Sequence, residues 1–112
     1  MNRIDKLILT ALIIADDEAE KGRTSIILLP CQIHYYPHVK RVVKQAYPRA
    51  TYVSTPRESV YIRYSTFPSG LRALPADVLI VVDQDHPQFN SDSLLLGRER
   101  LRSSIVRKEY NL

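Results

Sequence analysis

The sequence predicts one three-layer α/β domain with a mostly parallel central sheet. Three observations carry this. Residues 24–29 and 78–82 are unbroken runs of β-branched and aliphatic residues, the pattern of strands covered on both faces. Helix-spaced segments flank and separate them, and helices between strands favour parallel, right-handed crossovers. A chain of 112 residues supports one modest core and not two, so residues 1–112 form a single domain.

The elements follow in order. Across residues 2–21, Ile4, Leu7, Ile8, Ala11, Leu12, Ala15 and Ala19 recur at helical spacing, and Gly22 stands where a C-cap belongs. Leu9, Ile13 and Ile14 widen that stripe, predicting a helix buried on more than one side. Residues 24–29, closed by Pro30, predict a central parallel strand. From Tyr36 or Pro37 to Ala46, Val39, Val42, Val43 and Ala46 line one face of a crossover helix, with Pro37 in its first turn.

Residues 50–54 and 59–66, rich in Tyr, Val and Ile, predict two strands with Pro56 between them. Two prolines and a glycine make 67–75 a loop, residues 78–82 return to a buried strand, and 83–90 form another loop. Ser91 or Asp92 caps a last helix running through Lys108, with Leu94, Leu95, Leu101 and Ile105 on its apolar side and Gly97 weakening its middle. The expected order is α, β, α, β, β, β, α.

Composition narrows the function classes. A hydrophobic share of 45% and a charged share of 25% describe a folded chain, and no low-complexity tract interrupts it. The net charge of +4 suits nucleic acid or an acidic partner. Cys31, a single cysteine, makes no intrachain disulfide and points to a reducing compartment, with the cytoplasm as the expected location. The apolar run 7–15 is too short to span a bilayer, so no membrane association is expected.

Several residue sets carry chemistry. Lys40, Arg41 and Lys44, behind the rings of His34, Tyr35, Tyr36 and His38, and the strand residues Tyr61, Arg63 and Tyr64 mix cations with rings. Such sets neutralise phosphates and stack on bases. Arg98 and Arg102 extend this basic character into the last helix, although Glu99 and Glu109 can pair with its arginines. The alternative is that these cations solvate amphipathic helices and the tyrosines serve the core.

Asp83 and Asp85, with His86 beside them, offer oxygen ligands for magnesium or manganese, against the alternative of a polar loop at a strand end. Cys31, His34 and His38 have a zinc-like spacing without a fourth ligand. No Gly-x-Ser-x-Gly turn is present, and acyl-transfer or thiol chemistry has no support.

Residues 76–85, Ala-Asp-Val-Leu-Ile-Val-Val-Asp-Gln-Asp, drive an apolar strand into Asp83. Together with the preceding helix 7–21, strand 25–30, helix 39–46 and strand 51–54, this order resembles the RecA-like P-loop core of DNA helicases and viral terminase large subunits. The resemblance covers roughly residues 5–85 and implies that Asp83 occupies the position of the magnesium-holding aspartate. Two departures accompany it. No glycine-rich turn ending in Gly-Lys-Ser/Thr occurs, and Gln84 stands where a catalytic glutamate is expected; an amide is a poor general base.

The resemblance therefore implies an incomplete, degenerate P-loop scaffold. Because the phosphate-loop strand is central in that fold, it also implies a sheet that is either re-ordered or completed by a partner or a second copy through strand addition. The expected function is a non-catalytic binding protein contacting nucleic acid or a nucleic-acid-processing partner, of the kind a phage or mobile element carries as an accessory, without a required cofactor. The alternatives are a magnesium-dependent nuclease or nucleotide hydrolase centred on Asp83 and Asp85, and a structural or inhibitory docking module.

Overall fold

The computed structural model describes residues 2–46, 59–71, 74, 76–102 and 108–112; the expected strand 50–54 lies outside them. The first helix, α1 (Arg3–Glu20), starts where the Asn2 side chain accepts a hydrogen bond from the Asp5 amide at 2.9 Å. It ends in a double bond closure: Gly22 N–H donates to Ala19 O and Arg23 N–H to Glu18 O, both at 3.0 Å. That geometry needs a left-handed residue, and Gly22 supplies it at φ 79°. Of the residues expected to widen the apolar face, Ile13 is 60% exposed, so α1 is covered on one side only.

β1 (Ser25–Leu29) is buried at every position and lies between β2 (Val60–Tyr64) and β3 (Val78–Val81), parallel to both. β4 (Lys108–Asn111) adds in parallel to the far side of β3, giving the order β2-β1-β3-β4. The continuous apolar runs have their reason here, since β1 and β3 have helices on both faces.

From β1 the chain crosses through α2 (Gln32–Ala46) to β2 on one side; from β3 it crosses through α3 (Ser91–Arg102) to β4 on the other. Crossovers of one hand in opposite directions put the two helices on opposite faces. Accordingly α1 and α2 enclose Ile27, Leu29, Ile80 and Val82, whereas α3 and the 3₁₀ turn Pro68–Leu71 enclose Ile26, Leu28, Leu79 and Val81. A Cβ on Gly97 would lie 3.1 Å from Leu79 Cδ1, so the glycine expected to weaken α3 lets this helix lie close against β3.

Three boundaries differ from expectation. α2 begins at Gln32, not at Tyr36 or Pro37, and places Pro37 inside the helix. The bond that Pro37 cannot donate would have gone to the carbonyl of Ile33, an exposed residue. The buried Tyr35 ring holds the extra turn against the core. α3 is capped by Asn90, whose Oδ1 accepts from the Asp92 amide at 3.0 Å, one residue before the expected cap.

α3 is described to Arg102, and Lys108 belongs to a strand instead of the last helix. Tyr110 and Leu112 pack against the α1 side of the core, while β3 offers a hydrogen-bonding edge. Leu112 N–H donates to Val81 O at 2.8 Å and Asp83 N–H to Leu112 O at 3.0 Å. Burial and pairing together outweigh the helical tendency of the arginine-rich run.

Candidate functional site

The sheet reverses its winding direction between β1 and β3, and in doubly wound sheets the crevice beyond the carboxyl ends of such strands is where ligands bind. Asp83 stands there, two residues past β3, in the left-handed conformation at φ 56° that aspartate tolerates better than most residues. Its carboxylate is 14% exposed and accepts from Arg3 Nη2 at 2.8 Å and Nη1 at 3.2 Å. The Tyr35 hydroxyl donates to it from the first turns of α2. The Arg3 bonds hold the Asp83 carboxyl below its ordinary value, against the opposing effect of burial. Burial, and then the bond to Asp83, push the Tyr35 phenol well above its usual range.

Both groups thus keep their ordinary neutral-pH forms, carboxylate and phenol, in a hydrogen-bonded clamp between α1, α2 and β3. His86 stacks edge-on to Tyr35 at 5.5 Å and lies 5.9 Å from the His34 ring. The oxygens a cation would seek on Asp83 already accept from Arg3 and Tyr35, and Asp85 is exposed. Among the described residues no three His, Cys, Asp or Glu side chains gather as a metal-ligand group. Cys31 is buried, His34 faces His86 and His38 faces Asp5, so the zinc-like spacing divides among different partners.

Below the carboxyl edge, α1 and α2 are joined by a second polar cluster. Asp5, buried at 6% exposure, accepts from Arg41 Nε at 3.2 Å and Arg41 Nη2 at 3.1 Å. His38 Nδ1 lies 2.8 Å from Asp5 Oδ1. Burial alone would raise the Asp5 carboxyl; the bonds from Arg41 and His38 outweigh it and leave it below its ordinary value. Lys40 and Lys44 are exposed on the outer side of the same helix and form no ion pair among the described residues.

The remaining basic candidates are dispersed. Arg63 donates to Gly70 O at 3.1 Å and Ile62 O at 2.8 Å and lies over the Tyr61 ring at 5.4 Å. Strand alternation places Tyr61 with the α3-side core and Tyr64 with the α1-side core, so the three β2 candidates do not share a face. Burial, with Tyr36 nearby, pushes the Tyr64 phenol up to about 12. Arg98 pairs with Glu109 at 2.9 Å, the acid named as its competitor, and the Arg102 side chain lies outside what is described.

Comparison with protein-family models, with curated proteins and with solved structures returned no match. Among the described residues, no helix is long and apolar enough to cross a membrane.

Sequence reasoning placed Asp83 at the carboxyl end of its strand and Arg41 on its helix, but missed Arg3, Tyr35, Asp5 and His38 as their partners. The pairs Arg3–Asp83, Tyr35–Asp83, Asp5–Arg41 and Asp5–His38 join residues 80, 48, 36 and 33 positions apart, separations that no local periodicity reports. Also missed was the knot at the opposite edge of the sheet. Glu18, wholly buried, accepts from Arg23 Nη1 at 2.7 Å, Lys108 Nζ at 2.9 Å and the Tyr110 hydroxyl at 2.8 Å. The one available signal was its position, since Glu18 falls on the apolar stripe of α1 one turn after Ala15.

Proposed function

We propose that this chain is a non-catalytic binding protein that contacts the phosphates of a nucleic acid through the outer face of α2. The carrying observation is that Lys40 and Lys44 are exposed on that helix with no ion pair among the described residues, beside Arg41, which Asp5 holds, while Arg63, Arg98 and Lys108 bond to groups of the fold itself. Cations left unpaired on one face raise the local potential and release counterions on binding. The degenerate P-loop reading belongs to this proposal. Asp83 ends a strand flanked by β1 and β4 and is followed by the exposed amide of Gln84, and the sequence carries no phosphate loop.

The test is binding of a fluorescent single-stranded oligonucleotide across a salt series. Affinity should fall steeply with salt, and Lys40→Glu with Lys44→Glu should weaken it at least tenfold. Salt-independent affinity, or an unaffected double variant, removes the reading.

A second reading concerns the sheet edge. No described strand pairs with the outer side of β4, and an open edge accepts another strand. Self-association by this route predicts a concentration-dependent dimer in sedimentation that Asn111→Pro, which removes an N–H on the outer side of β4, abolishes at a concentration where the variant remains folded; a monomer throughout excludes it.

A further inference from the structure

Resting on the nucleic-acid reading, we infer that His38 and Arg41 form a pre-oriented phosphate-binding pair, with buried Asp5 as the residue that positions both. The two side chains stand three residues apart on α2 and so share a face. Both attach to one carboxylate: Arg41 through Nε and Nη2, His38 through Nδ1. Arg41 Nη2 also lies 2.8 Å from His38 Nδ1. When Nδ1 carries a proton it donates to Asp5; when it does not, it accepts from Arg41. In both forms Nδ1 is turned inward and Nε2 is the ring nitrogen without a protein partner among the described residues.

With a proton on each nitrogen the ring donates inward through Nδ1 to Asp5 and outward through Nε2. Arg41 Nη1 likewise makes no hydrogen bond among the described residues, and the side chain is 49% exposed. The helix therefore presents two directed donors whose inner ends are fixed. Fixing them beforehand lowers the conformational entropy lost when a ligand binds.

A phosphate suits this pair better than a single carboxylate does. It offers several acceptor oxygens to an arginine–histidine fork. Exposed Lys40 and Lys44 continue the positive face along α2, which favours a ligand that repeats its charge. The ligand class is accordingly a phosphodiester backbone, and inorganic phosphate is the minimal probe.

The test follows the imidazole nitrogens of the intact chain by long-range ¹H–¹⁵N NMR, titrating first with inorganic phosphate and then with a single-stranded oligonucleotide. His38 Nε2 should shift in a saturable way with both probes, whereas His34 and His86 should not. His38→Gln and Arg41→Lys should each weaken oligonucleotide binding about tenfold. The lysine variant retains charge and loses the fixed fork, so an Arg41→Lys protein that binds as well as the parent reduces Arg41 to a point charge and overturns the pair.

If the oligonucleotide binds in a way sensitive to Lys40 and Lys44, but His38 Nε2 stays unmoved, this inference fails and the broader reading stands. If the oligonucleotide does not bind at all, the broader reading fails, and the phosphate titration alone decides: a saturable Nε2 shift upholds the anion site, and its absence overturns it. Should a variant not fold, the parent's Nε2 response gives the same decision.

Discussion

The hydroxyl of Tyr35, a side chain only 1% exposed, donates to the carboxylate of Asp83 across 48 residues of sequence. This bond joins the second helix to the end of the third strand and fixes the first turns of α2 against the sheet. Tyr35→Phe keeps the ring and removes the donor, leaving Asp83 to Arg3 alone. The expected loss is about 1–2 kcal/mol of unfolding free energy, read from urea midpoints. A variant as stable as the parent shows that Arg3 or water replaces the bond at no cost.

Glu18 makes folding sensitive to acid. Burial alone would raise its carboxyl, but Arg23, Lys108 and Tyr110 together bring it down from 4.5 to about 2. For a carboxyl lowered on folding, the stabilisation is complete above the unfolded value and is lost as pH falls toward the folded one. Glu18→Gln should therefore be least stable relative to the parent above pH about 4.5, with the two stability curves converging toward pH 2. Parallel curves across that window refute the role given to the carboxylate.

Gly22 is the residue for which α1 needs a left-handed backbone. Space is not the issue, since a Cβ there meets nothing within 4 Å. Gly22→Ala should cost about 1 kcal/mol through the backbone alone, and Gly22→Asn less, by thermal or urea unfolding. Equal losses for both variants count against the conformational explanation.

Arg98 separates a charged residue from a binding residue. Its guanidinium is engaged by Glu109, so Arg98→Glu should lower stability by less than about 1 kcal/mol and leave oligonucleotide affinity within twofold of the parent. A loss of affinity comparable to that of Lys44→Glu places the working surface on α3 rather than α2.

The layers of the fold were legible because their causes are local. The unbroken runs at β1 and β3 announced two covered faces, and the spacing of Ile8, Leu12 and Ala15 announced α1. β4 was not legible. Lys108 and Glu109 continue a charged helical pattern, and only the edge of β3 and the core sites for Tyr110 and Leu112 turn the segment into a strand. Nor could composition separate engaged cations from available ones: Arg98 and Lys44 look alike until Glu109 is seen against the first. Asp83 was conspicuous for a different reason, as a charge at the end of an apolar run, and sequence could indicate its position but not that Arg3 and Tyr35 hold it.

The Glu18 knot has a bearing on how the chain is made. Its lysine and tyrosine partners lie 90 and 92 residues downstream. At ordinary rates of synthesis, on the order of 5–20 residues per second, that gap spans roughly 5 to 20 seconds. Throughout it, of the three partners of Glu18 only Arg23 has been made, so α1 cannot settle into its final burial until β4 has emerged. Completion of this fold is thereby tied to the synthesis of β4.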